Sequence, residues 1–229
     1  PTLSINATTG AVNLGVKATV DMTLAALGGF HTQDVAVETE AVFSQKDIEV
    51  GMALDITGSM AWADSNGEAK IKGLKSAFEK FADRLIPDEK NDNQRVRIGV
   101  APYSASVNLG AYAGAVTDNK GTNGCVVERK SGLFADSTDV FYALPKSAPK
   151  SACPPSVLAP LSDDKEALIS MVKSFNPTGS TAGHLGAQWA WNLVSDQWSG
   201  TWVGDGTPDS YSRVDEGKLL KAVVLMTDG

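Results

Sequence analysis

Residues 47–59 read Asp-Ile-Glu-Val-Gly-Met-Ala-Leu-Asp-Ile-Thr-Gly-Ser. The first eight are mostly apolar and of strand length, and the run stops at Asp55. A polar loop follows, then apolar residues at Ile71, Leu74, Ala77, Phe78, Phe81 and Leu85. That three-and-four spacing predicts an amphipathic helix, which Pro87 ends. Its polar positions, among them Lys70, Lys72, Lys75, Glu79 and Lys80, read as a solvated face.

Residues 95–103 read as a second strand. A helix is expected to open near residues 162–166, with Asp163 and Glu166 at capping-box spacing and Leu168, Met171, Val172 and Phe175 on its buried side. Another runs from about Ala182 to Ser195 with Leu185, Trp189 and Leu193 on one stripe, and Trp189 and Trp191 read as core or core-edge. Residues 219–227 form a third apolar strand ending at Asp228-Gly229. Strand, helix, strand, helix, helix, strand is the order of an α/β domain with a mostly parallel central sheet flanked by helices. Ahead of it, residues 1–46 carry period-two runs broken by glycine, a short β-rich segment. The expected organisation is therefore 1–46, then 47–229. Residues 104–160 are rich in Gly, Pro and Ser and show no helical or strand period, so they read as an insertion.

Two cysteines, Cys125 and Cys153, lie in that insertion. Such a pair in a loop reads as a disulfide formed in an oxidising compartment, contributing roughly 3 kcal/mol; the alternative is a pair of free thiols. With His31 and His184 the only histidines and no Cys-x-x-Cys, a Cys/His zinc site is excluded. Lys+Arg number 20 against 27 Asp+Glu, a net charge of −7 that argues against a nucleic-acid partner. No stretch reaches the roughly 18 apolar residues of a spanning helix. The chain begins at Pro1 and stops just after an apolar run, which reads as a piece of a longer protein.

In a parallel sheet, ligands bind beyond the carboxyl ends of the strands. Three loops should meet there: Asp55-Ile-Thr57-Gly-Ser59, Gly179-Ser180-Thr181, and Thr227-Asp228-Gly229. They offer carboxylates and hydroxyls without imidazole or thiolate, a hard-oxygen set suited to Mg²⁺, with Mn²⁺ or Ca²⁺ as alternatives. The expected ligands are Asp55, Thr57, Ser59, Thr181 and Asp228. An ion so held keeps an open position and attracts an outside carboxylate, whereas no positioned general base is at hand for hydrolysis. Each loop alone has a plainer reading: Asp-x-Thr-Gly-Ser can cap a helix, and Asp-Gly can form a turn.

Together, the three elements resemble the von Willebrand factor type A domain, whose signature is Asp-x-Ser-x-Ser, a Thr in a second loop and an Asp after a later strand. Thr57 replaces the first Ser and keeps the hydroxyl. The resemblance covers roughly residues 47–229. It implies a Rossmann-like fold lacking, in this chain, two further strands and their helices, and it implies a metal-dependent adhesion site rather than an enzyme. Leu-Asp-Ile-Thr-Gly-Ser-Met (54–60), Gly-Cys-Val-Val-Glu-Arg (124–129) and Gly-Ser-Thr-Ala-Gly-His-Leu-Gly-Ala-Gln-Trp-Ala-Trp (179–191) look like TadG-type proteins of bacterial tight-adherence (Flp) pilus assembly. That narrower likeness implies a pilus component as partner and a periplasmic or cell-surface location. It also implies an inner-membrane anchor upstream of Pro1. The competing reading is a haloacid-dehalogenase-like phosphotransferase with Asp55 as nucleophile, since the pumps of that superfamily use Asp-Lys-Thr-Gly-Thr. Against it, Ile56 stands where the pumps have Lys, and Thr57 where soluble members have a second Asp.

Overall fold

The computed structural model describes residues 2–6, 11–21, 32–42, 46–88, 94–117, 123–131, 136 and 138–228. The chain divides into two units, residues 1–46 and 47–229. The first holds an antiparallel three-stranded sheet of β1 (Thr2–Asn6), β2 (Ala11–Asp21) and β3 (Thr32–Val42), in that order. Val16 pairs with Val37 across β2 and β3, and both are exposed.

The second unit is built on β4 (Asp47–Asp55), flanked by β5 (Val96–Tyr103) and β10 (Leu219–Met226), all parallel. The two faces of β4 have opposite characters. Val50, Met52 and Leu54 form a core with Ile71, Leu74 and Phe78 of α1 (Lys70–Leu85) and Leu168, Ile169 and Val172 of α3 (Lys165–Lys173). The other face runs Glu49, Gly51, Ala53, Asp55. Its small residues are required because α4 (Gly183–Val194) lies directly on them. A Cβ on Gly51 would stand 1.9 Å from the Ala190 carbonyl oxygen. Likewise a Cβ on Gly186 would enter the Tyr103 ring at 2.2 Å. Leu185, Trp189 and Leu193 of α4 are buried in this second core, as their stripe predicts.

The insertion departs from the sequence expectation. It is not devoid of strands: β6 (Val107–Asn108), β7 (Cys125–Arg129) and β8 (Phe141–Ala143) extend the sheet antiparallel beyond β5, and α2 (Ala113–Val116) lies among them. Another short strand, β9 (Ala159–Ser162), pairs antiparallel with β5. The resulting order is β10-β4-β5-β6-β7-β8; the long pairings at its centre are parallel. Strands of two to five residues are too short to display a period of two. Cys125 and Cys153 are joined, with Cα atoms 5.6 Å apart. Phe141 of β8 packs on Trp189 at 4.7 Å between ring centroids, tying the insertion to α4.

Two smaller expectations also shift. Asp164, not Asp163, caps α3: its carboxylate accepts the Ala167 N–H at 2.9 Å. Trp191 is 43% exposed rather than core, and its indole N–H donates to Asp136 at 2.9 Å. Between α4 and β10, α5 (Ser212–Asp215) is a single helical turn in the connection. Among the described residues no helix is long and apolar enough to cross a membrane.

Candidate functional site

Asp55 is the last residue of β4 and has no solvent exposure. The strand ends there because the carboxylate turns back on its own backbone, where Oδ1 accepts the Thr57 N–H at 2.9 Å, an Asx-type turn. Oδ2 accepts from the Thr227 hydroxyl at 2.8 Å and the Tyr103 hydroxyl at 3.2 Å. Tyr103 reaches it because the parallel register sets Asp55 beside Tyr103 across β4 and β5. Burial, with the Asp55 charge adding to it, pushes the Tyr103 phenol up to about 12. All three partners of Asp55 are neutral donors, and among the described residues no cation pairs with it.

Thr57 and Ser59 continue the cluster. Their hydroxyls lie 3.1 Å apart, and Ser59 donates to Asp228 Oδ1 at 3.0 Å. The Ser59 proton is committed to Asp228, so Thr57 is the donor of that pair. Neither hydroxyl caps a helix. A 3-10 turn over Gly58–Ala61 begins after Thr57 without a side-chain cap, and α1 starts only at Lys70. The helix-cap reading of Asp-x-Thr-Gly-Ser is thereby set aside. Asp228 also accepts from Lys70 Nζ at 2.8 Å, and that bond holds its carboxyl below the usual range. Lys70 does not stand on a solvated face; its side chain is 31% exposed and turned to the third loop.

The second loop is fastened to the first through backbone. Gly58 N–H donates to the Gly179 carbonyl at 3.0 Å, and Thr178 N–H to the Ile56 carbonyl at 2.8 Å. Gly179 has φ +74°, and a Cβ there would lie 2.6 Å from the Ser151 carbonyl oxygen, so both conformation and space demand glycine. Ser104, the residue after β5, accepts the Ala182 N–H on its carbonyl, while its buried hydroxyl has no hydrogen-bond partner. Thr181 sits on this loop but is exposed and stands outside the hydrogen-bonded cluster.

Of the five sequence-predicted ligands, Asp55, Thr57, Ser59 and Asp228 are thus brought together by hydrogen bonds, and Thr181 is placed on the adjoining loop. Gly229 lies outside the described residues. The donor set fits a hard divalent cation on one observation: a fully buried carboxylate, Asp55, is balanced only by neutral donors amid hydroxyl oxygens. It is a set rich in hydroxyls, and among the described residues no group of three or more His, Cys, Asp or Glu could hold a metal. The sequence reading missed Tyr103 and Lys70 and left Thr227 without a role. Tyr103 could be found only from strand register, and Lys70 only from the path of the loop before α1. A cleft of about 660 Å³ opens at the opposite end of the sheet, beside residues 94–96 and 163–166, and contains none of these side chains.

No protein-family model matches the chain, and no curated protein matches it. Solved structures that match the chain include three N-terminal domains of the type V pilus tip protein Mfa5 from Porphyromonas gingivalis. That match has 14% identity and a TM-score of 0.42 over 98% of this chain and 24% of that one. The vWF domain of the same protein matches at 14% identity and TM-score 0.43, over 81% of this chain and 38% of that one. The PilB minor pilin of Streptococcus sanguinis matches at 14% identity and TM-score 0.40, over 87% and 38%. The chain spans about a quarter to two-fifths of the length of these structures.

Proposed function

We propose that this chain is a metal-dependent protein-binding module of the von Willebrand factor A type and not an enzyme. Asp55, Thr57, Ser59 and Asp228, with Thr181 from the neighbouring loop, would hold one Mg²⁺, with Mn²⁺ or Ca²⁺ as alternatives. The ion's contribution when bound is an open coordination position for a carboxylate offered by a protein partner. The chain's own residues do the rest. Thr57 N–H, Thr227 and Tyr103 fix the rotamer of Asp55. Ser59 ties the first loop to the third. Gly58 and Gly179 join the first to the second. The wording of residues 54–60, 124–129 and 179–191 supports the narrower setting of Tad/Flp pilus assembly or surface adhesion, outside the cytoplasm, on a protein anchored to the inner membrane. The disulfide agrees with that compartment.

The observation that carries the reading is the buried Asp55 without a cationic partner. The residues beside Asp55 also weigh against a phosphotransferase: Ile56 stands where the pumps of that superfamily have Lys, and Thr57 where soluble members have the second Asp that serves as acid and base. The test is Mn²⁺ binding followed by the loss of its free-ion paramagnetic resonance signal. The parent chain is expected to take up one ion and Asp55→Asn none. Uptake by the variant equal to the parent's, or an acyl phosphate trapped on Asp55 from a phosphoryl donor, would overturn the proposal.

A further inference from the structure

Lys70 opens α1, yet a helix N-terminus favours anions over cations. Its position is built rather than incidental. The loop before it is closed by the Lys70 N–H donating to the Trp62 carbonyl at 3.0 Å. A bridge between Ala63 and Ala69 narrows the same loop. Within it, Asp64 accepts the N–H groups of Asn66 and Glu68 at 2.8 and 3.0 Å. So held, the Lys70 ammonium donates to Asp228 Oδ2 at 2.8 Å, while Ser59 occupies Oδ1 at 3.0 Å. Other lysines of this helix turn elsewhere: Lys72 toward Glu68 and Lys75 onto the Lys173 carbonyl.

We infer that Lys70 is a resident counter-ion of the site, one that competes with a divalent cation for Asp228 and so sets the affinity of the cluster for metal. The inference rests on the metal reading given above. Asp55 and Asp228 bring two negative charges, and Lys70 returns one, so an arriving cation meets a net charge of −1 instead of −2. It also meets an ammonium within a few ångströms, whose repulsion is only partly screened because the side chain is about one-third exposed. Without a bound cation, the same ammonium keeps Asp228 drawn toward α1 and the first and third loops joined. A carboxylate ligand site with this device binds its ion loosely and gives it up without falling apart.

The test uses the 229-residue chain with Mn²⁺ as probe, comparing the parent with Lys70→Gln, Lys70→Met and Lys70→Arg. Lys70→Met preserves the packing of the stem should the glutamine variant fold poorly. Both neutral variants are expected to bind Mn²⁺ roughly tenfold or more tightly than the parent, and Lys70→Arg to stay within about threefold of it. In chelator the neutral variants should melt below the parent, and saturating Mn²⁺ should close the gap. A parent that binds poorly beside a glutamine variant that binds well also supports the inference. If parent and neutral variants bind with equal affinity, or the variants bind more weakly, Lys70 is not a competitor and the metal reading survives. If none of the four takes up Mn²⁺, the metal reading falls and this inference with it.

Discussion

The strand β4 carries a buried carboxylate near each end, and the two are balanced in opposite ways. Glu49 is 1% exposed and Asp55 is fully buried. Glu49 lies between cations: Arg97 forms an ion pair with Oε1, and Lys221 reaches Oε2 at 2.5 Å. The Asp209 N–H adds a third bond at 2.9 Å. Arg97 then donates to the Asp205 and Thr207 carbonyls, which pins the connection between α4 and β10. Asp55, on the same face of the same strand, has one backbone N–H and two hydroxyls. One end is a closed, internally neutralised brace. The other retains uncompensated negative charge in a place where ligands of parallel sheets bind. Burial alone therefore does not mark a functional carboxylate; the identity of its partners does.

The largest expected effect tests that contrast directly. Glu49→Ala leaves Lys221 without its ion-pair partner and Arg97 with only the Asp209 carboxylate at 3.4 Å, and should cost about 3–5 kcal/mol in urea unfolding, with or without divalent metal. Asp55→Asn, in chelator, should cost no more than about 1 kcal/mol, because it removes a charge that nothing in the described residues neutralises. Its deficit should appear only with metal, as the missing stabilisation of about 2.7 kcal/mol expected at a hundredfold excess over the dissociation constant. Equal losses for the two variants in chelator would erase the distinction between the two ends.

Reduction of Cys125–Cys153 comes next, at roughly 3 kcal/mol or somewhat less. It should reach one end of β4 and not the other. The segment ending at Cys153 holds Ser151 against Gly179, and Ser106 donates to the Ala152 carbonyl at 2.6 Å. Loosening it frees the loop of Thr181, whereas the Glu49 brace, among the described residues, bonds to Asp205, Thr207, Asp209 and Val194, outside the cysteine segment. Hydrogen exchange on the reduced chain should rise at residues 104–108 and 178–182 and stay unchanged at 205–209. Metal uptake should weaken without vanishing, since the other four candidate ligands lie elsewhere.

The two ends of β4 differ also in what the sequence discloses. The apolar run, the stop at Asp55, the helix of Ile71, Leu74 and Phe78, and the stripe of Leu185, Trp189 and Leu193 are local patterns, and the structure contains each of them. Thr57 and Ser59 follow Asp55 so closely that one turn must gather them. The Glu49 brace has no such local mark. Glu49, Arg97 and Lys221 are register partners across three parallel strands and lie far apart in the chain. Tyr103 meets Asp55 by the same register. No periodicity reports which residue of one strand faces which of another, so these pairs emerge only once the sheet is assembled. Lys70 was hidden for a different reason: helix periodicity places it on the polar side of α1, but the turn of chain before the helix brings that side to Asp228.

The smallest effect isolates the neutral donors. Tyr103→Phe removes one hydrogen bond to Asp55 and should cost about 1 kcal/mol at pH 7 while leaving the Glu49 brace intact. Its sharper consequence is alkaline. The folded phenol ionises at about 12, the unfolded one near 10. Between those values the unfolded chain has lost a proton that the folded chain retains, so stability is fully present below about pH 10 and declines as pH rises toward 12. Tyr211, also raised to about 12 by burial and by its bond to Asp136, contributes a like decline. Absorbance titration of the folded parent should therefore show two late phenols, and Tyr103→Phe one, with a shallower loss of stability above pH 10. If the variant keeps both late phenols, Tyr103 is not shielded beside Asp55. The account of that carboxylate as held by neutral donors in a water-poor pocket would then fail at its closest neighbour.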